Sequence, residues 1–220
     1  MDTIFIPVKA SVSSFPGLVD SETLLSQQGM YAADFNFAYR NSIPVVQEML
    51  DAIPQWYHDL AIEQEKELNV DIRVHELKKG DYPASPGWHV DASQRETAFQ
   101  NNADLTAVEA SLVGTISSHP NGVSNTIFVQ NVINIDEDYE SLTKNNNKLL
   151  QEKIIDKHLE TIQTVDGVWT LFDPYTIHNI EQSKNNGVRL FARVSIWNKP
   201  DGHTPGLTKT EQVYRVDESY

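Results

Sequence analysis

"VRLFARVSIW", residues 188–197, decides how the chain folds. Its even positions, Val188, Leu190, Ala192, Val194 and Ile196, are all apolar. Its odd positions are Arg189, Phe191, Arg193, Ser195 and Trp197. Successive side chains of a strand point to opposite faces. The segment therefore reads as a β-strand with one face on a hydrophobic layer. Its other face sends arginine, serine and aromatic side chains into a second space. The stretch "NTIFVQNVINI", residues 125–135, repeats this pattern. Ile127, Val129, Ile133 and Ile135 share one side with Asn131, and Thr126, Phe128 and Gln130 take the other. Two strands of this kind imply a lined pocket rather than a polar face simply meeting solvent.

Further strands flank these two. "DIRVHELKKGD" (71–81) reads as a strand and a turn, and "DLTAVEASLVGTISS" (104–118) as a strand with β-branched residues at period two. "GVWTLFDPYTIHNIEQ" (167–182) supplies a strand that the turn "SKNNG" (183–187) joins to the segment at 188–197. Residues 44–68 read as helix, bent or broken near Pro54. Leu149, Leu150, Ile154, Ile155, Leu159 and Ile162 fall at helical spacing within 144–162. The expected fold is mainly β with helices: a double-stranded β-helix (jelly roll) core with an N-terminal helical part packed outside. Within a single domain, 1–70 form the helical part, 71–199 the jelly roll and 200–220 a C-terminal tail.

Composition narrows the function classes. A chain of 220 residues with 40% hydrophobic and 22% charged residues is ordinary globular material, large enough for a sizeable core. No run approaches the length of a membrane helix, and the start "MDTIFIPVKASVSSF" lacks the basic and apolar regions of a secretory signal. A cytoplasmic location is the expectation. The net charge of -14 and the lack of any Lys/Arg cluster disfavour nucleic acid and anionic membranes, leaving a small molecule as the expected partner. There are no cysteines, so a metal would have to sit on His and carboxylate ligands.

"SPGWHVDASQ", residues 85–94, holds the chain's one His-x-Asp. In an extended segment His89 and Asp91 lie on one side, close enough to chelate one ion. His178 sits on a strand further along. Two His and one carboxylate with open positions beside them form the facial triad of non-haem Fe(II) oxygenases. Arg189 and Arg193 lie eleven and fifteen residues past His178. An antiparallel return after the turn would bring both alongside it, as a fixed cationic fork suited to a dicarboxylate.

The ordered pattern "HVD"…"H"…"R" resembles the iron(II)- and 2-oxoglutarate-dependent dioxygenases over about residues 70–199. The resemblance implies that His89, Asp91 and His178 hold iron and that one arginine clamps the distal carboxylate of 2-oxoglutarate. Arg193-Val194-Ser195 looks like the Arg-x-Ser of the penicillin-synthase-like branch. Arg189 has the spacing of the taurine-dioxygenase-like branch, in which the second arginine contacts substrate. Thr126 is a candidate cosubstrate hydroxyl, or only a β-former in a strand. The implied activity is oxidation, chiefly hydroxylation, of a C–H bond in a small carboxylate-bearing metabolite such as an amino acid. Dioxygen is consumed, and succinate and carbon dioxide are released.

Cupin-type isomerases or oxidases are the neighbouring alternative. They typically carry His-x-His and a following Glu, and "HVDASQRET" lacks the second His. A non-catalytic ligand-binding jelly roll is the other. Arg95 reads as a solvated loop residue or a contact for a substrate carboxylate. His75 in "RVHEL" reads as a pocket or core histidine, His158 and Glu160 as a helix surface, and His119 and His203 as loop residues. Trp88 reads as a buttress for His89, and Asp173 before Pro174 as a turn residue.

Overall fold

The computed structural model of the chain describes residues 3–5, 11–84, 86–89, 111–130, 133–135, 160–173, 176–197 and 206–208. In chain order these form β1 (Thr3–Phe5), β2 (Ser11–Ser14), α1 (Ser21–Leu25), β3 (Gly29–Asp34), α2 (Phe35–Arg40), α3 (Pro44–Asp51) and α4 (Gln55–Glu63). There follow β4 (Glu67–Leu77), β5 (Ser111–Ser117), β6 (Thr126–Val129), β7 (Ile133–Ile135), β8 (Thr161–Gln163), β9 (Val168–Phe172), β10 (His178–Ile180), β11 (Gly187–Trp197) and β12 (Gly206–Thr208). The chain is mainly β. Its sheets are antiparallel and are not closed into a barrel.

A seven-stranded sheet in the order β12-β3-β4-β11-β5-β9-β2 faces a three-stranded one, β10-β6-β8. A separate pair joins β1 and β7. His89 extends the small sheet by a single bridge to His178. The strands change sheet along the chain. β4 lies in the large sheet, the His89 segment beside β10, and β5 in the large sheet. β6 and β8 follow in the small sheet, then β9 large, β10 small and β11 large.

The alternation along β11 sorts its faces as its sequence requires. Val188, Leu190, Ala192, Val194 and Ile196 are buried in the main core with Val70, Ile72 and Val74 of β4. Helices α3 and α4 cover this layer with Val46, Met49, Leu50, Tyr57 and Ala61. Two polar tips inside the core find backbone partners. The Tyr57 hydroxyl donates to the Val194 carbonyl (3.0 Å), and the Trp169 indole donates to the Met49 carbonyl (2.9 Å).

Four expectations change. The 44–68 helix breaks at Pro54 as expected, but it stops at Glu63 rather than residue 68, and Glu65 adopts φ +55°. Glu67–Val70 then join β4 by pairing with β11, so the strand starts before residue 71. The helical N-terminal part also contributes β2 and β3 to the large sheet, and Gly206–Thr208 pairs with β3, so the tail is not merely appended. The 144–162 helix lies outside the described residues up to 159. Its last positions are strand instead: Thr161 and Ile162 begin Thr161–Gln163, which pairs with β6 and packs the partly buried Ile162 against Phe128. Finally, β10 and β11 form no hairpin. They belong to opposite sheets and face each other across the interior.

Gly114 marks the tightest crossing in the apolar layer. A Cβ there would fall 2.7 Å from Met49 Cε, 2.9 Å from Phe15 Cζ and 2.9 Å from Trp169 Cε3. Gly114→Ala is expected to cost about 1–3 kcal/mol through overpacking, measured as a lower urea midpoint. An unchanged midpoint would show that Met49 yields freely.

Candidate functional site

The polar faces of the two sheets enclose a cavity of about 150 Å³. This is below the roughly 300–1,000 Å³ of drug-sized pockets, so the space suits only a small molecule. Arg189, Phe191 and Arg193 of β11 and Arg73 and His75 of β4 line one side. Thr126, Phe128, His178 and His89 line the other. The inward face read from the sequence of β11 is therefore the cavity wall, and the same holds for Thr126 and Phe128.

His89 and His178 come together through the backbone. Each donates its N–H to the other's carbonyl at 2.9 Å. This is a directly opposed, hydrogen-bonded antiparallel pair, whose side chains share a face. Their ring centroids lie 4.3 Å apart. The preceding turn is pinned to the same strand: Gly87, at φ +118°, donates its N–H to Asn179 Oδ1 (2.9 Å).

Both imidazoles are anchored alike. Nδ1 of His89 lies 2.9 Å from the Gly87 carbonyl, and Nδ1 of His178 lies 3.0 Å from the Thr176 carbonyl. A carbonyl only accepts, so Nδ1 carries the proton in both rings and Nε2 holds the donor electron pair. This fixed tautomer is the arrangement that metal-binding histidines adopt. Phe128 and Phe172 pack against His178 at 5.5 and 5.6 Å between centroids and hold its plane.

The two histidines therefore fit a metal. Among the described residues no group of three His, Asp or Glu side chains is positioned to hold an ion. Asp91, the expected third ligand, lies outside the described residues, as does Arg95.

Arg189 is buried in the cavity wall. Its Nε donates to the Ser124 carbonyl (2.9 Å), one Nη approaches the Thr126 hydroxyl (3.4 Å), and its Cζ lies 5.1 Å from the Phe191 ring centroid. Desolvation pulls the guanidinium down to about 10, against the field of Asp166. Burial in turn raises the Asp166 carboxyl, while the Thr115 hydroxyl (2.6 Å) and Arg189 oppose that shift.

Arg193 is occupied differently. It pairs with Asp71 Oδ2 at 2.7 Å through Nη2 and 3.2 Å through Nε. The other oxygen of Asp71 accepts the Ala32 N–H (2.8 Å), where β3 bulges and Ala32 sits at φ +51°. Ser195 donates to or accepts from Ser111 (2.8 Å) and does not line the cavity. Asp173 closes a turn with Thr176, and His119 lies in a loop. Glu160 is exposed outside any helix, and His158 and His203 lie outside the described residues.

Arg73 has no place in the site read from the sequence, although its signal is visible there. In "DIRVHEL" the residues Asp71, Arg73 and His75 alternate with Ile72 and Val74 at period two, so they share the cavity face. His75 is 2% exposed, and neither ring nitrogen has a hydrogen bond, although the Pro83 backbone lies near. Desolvation, then Arg189 and Arg73, push it down to about 3.

No family model matches the chain, and no curated protein matches it. Among the described residues no helix is long and apolar enough to cross a membrane.

His75 gives the site a pH signature. The folded chain keeps it neutral down to about 3, whereas the unfolded chain takes up the proton near the ordinary value of 6.5. Stability is therefore lost as pH falls between these values, by up to about 1.4 kcal/mol per unit. Urea unfolding across this window is expected to show a shallower slope for His75→Leu than for the parent. Equal slopes would mean that His75 is solvated in the fold.

Proposed function

We propose that the chain is a cytoplasmic non-haem Fe(II)- and 2-oxoglutarate-dependent dioxygenase that hydroxylates a C–H bond of a small carboxylate-bearing metabolite. The observation that carries this reading is the pair of anchored imidazoles, His89 and His178, opposite the buried Arg189 in one small cavity. The alternation of strands between the two sheets supports a double-stranded β-helix as the scaffold.

In this reading Nε2 of His89 and Nε2 of His178, with the Asp91 carboxylate, hold iron(II). The chemistry supplied by the bound metal is activation of dioxygen, coupled to decarboxylation of 2-oxoglutarate. Arg189 grips the distal carboxylate of the cosubstrate. The Ser124 carbonyl and the Thr126 hydroxyl orient its guanidinium, so little freedom is lost on binding. Of the two arginines left open by the spacing, Arg189 is favoured because Asp71 already neutralises Arg193. Phe128, Phe172, Phe191 and Val113 exclude water from the reacting groups.

Anaerobic addition of Fe(II) and then 2-oxoglutarate to the metal-free protein is expected to produce a metal-to-ligand charge-transfer band. His178→Ala should abolish it. Arg189→Met should keep iron but demand about 30-fold or more 2-oxoglutarate, as truncating one partner of a buried charge pair costs about 2–5 kcal/mol. Iron binding with no band would sink the 2-oxoglutarate assignment.

A further inference from the structure

We propose that Arg73, with His75 beside it, is the receptor for the carboxylate of the primary substrate. The dioxygenase reading enters only in naming that ligand the substrate; anion binding here needs no iron.

The register of β4 against β11 sets out the charges. Arg193 stands opposite Asp71, Phe191 opposite Arg73, and Arg189 opposite His75. Arg73 is thus the diagonal neighbour of both other arginines, at roughly 7–8 Å. Arg193 is engaged by the Asp71 carboxylate, and Arg189, oriented by Ser124 and Thr126, is taken by the cosubstrate in the proposed function. Arg73 has no ion pair and no hydrogen bond among the described residues. A cation held beside the uncompensated Arg189, with no ion pair of its own among the described residues, favours an incoming anion.

His75 points to a ligand independently. It is 2% exposed, lines the same cavity, and makes no well-formed hydrogen bond from either ring nitrogen, with only the Pro83 backbone near. Burying an unsatisfied polar group costs about 1–3 kcal/mol, a cost that a ligand hydrogen bond removes. A neutral imidazole offers one donor and one acceptor. It can therefore meet a hydroxyl or amine next to the carboxylate, while the Arg73 fork meets the carboxylate itself.

Exposure separates the two arginines: Arg189 is 2% exposed and Arg73 half-buried, while His75, opposite Arg189, is 2% exposed. A cosubstrate carboxylate at Arg189 therefore lies deeper than a substrate carboxylate at Arg73, and His75 meets the inner side of the substrate. The cavity of about 150 Å³ limits both to a few carbons. The chemical class is a short hydroxy or amino carboxylate.

The test is NMR of the metal-free chain, reading the Arg73 Nε–H and His75 ring nitrogen resonances. The probes are L-lactate, its neutral amide, and inorganic phosphate. L-lactate should shift both signals saturably, and the amide should not. Arg73→Gln should weaken lactate at least about tenfold, with Arg73→Lys in between, while Arg189→Met should leave the response in place. Unshifted Arg73 signals, undiminished binding in Arg73→Gln, or lactate binding lost in Arg189→Met would each overturn the proposal. A response to phosphate alone would overturn the carboxylate class. Lactate binding in a protein that gives no charge-transfer band would sink the dioxygenase reading and leave the anion site standing.

Discussion

The ladder between β4 and β11 is the constraint on which the molecule depends. It runs without a slip from Glu67–Trp197 to Leu77–Gly187. A slip of one residue would turn every side chain to the wrong face. Ile72, Val74, Leu190 and Ala192 would then line the cavity, and the arginines would meet the helices. Because the apolar face is covered by α3 and α4, the register is enforced by the burial of that face, and the polar face follows without needing interactions of its own.

That division explains why the interior tolerates so much charge. Asp71 answers Arg193 and at the same time holds the Ala32 amide at the bulge of β3. Its task is structural, and it removes Arg193 from the contest for a ligand. Arg189 has only backbone and hydroxyl acceptors close by, with Asp166 further off. Removing a guanidinium from water is costly unless its bonds are replaced. Among the described residues the protein replaces only some of them.

Much of this was legible in the sequence. Period-two alternation gave β11 and its two faces, Pro54 gave the helix break, and the need of the His-x-Asp at 89–91 for a second histidine singled out His178, which meets His89 at one bridge. What could not be read was which strand lies beside which. The turn at 183–187 suggested a hairpin, but β10 and β11 part to opposite sheets, so Arg189 reaches the histidines across the cavity rather than along a shared ladder. The pairing of Arg193 with Asp71 was equally hidden, since 122 residues separate them. Arg73 is hard to read as a site residue for the opposite reason. Its alternation with Ile72 and Val74 was plain, but only the neighbouring strand shows that this face is enclosed.

The bridge between His89 and His178 joins segments at opposite ends of the β-rich half of the chain. Closing so long a loop costs entropy before any contact repays it, and topologies dominated by distant pairings fold in about milliseconds to seconds. A ribosome must therefore release β10 before the two imidazoles can meet. Until then the segment around His89 lacks the strand it bridges to, so this wall of the cavity is completed only late in synthesis.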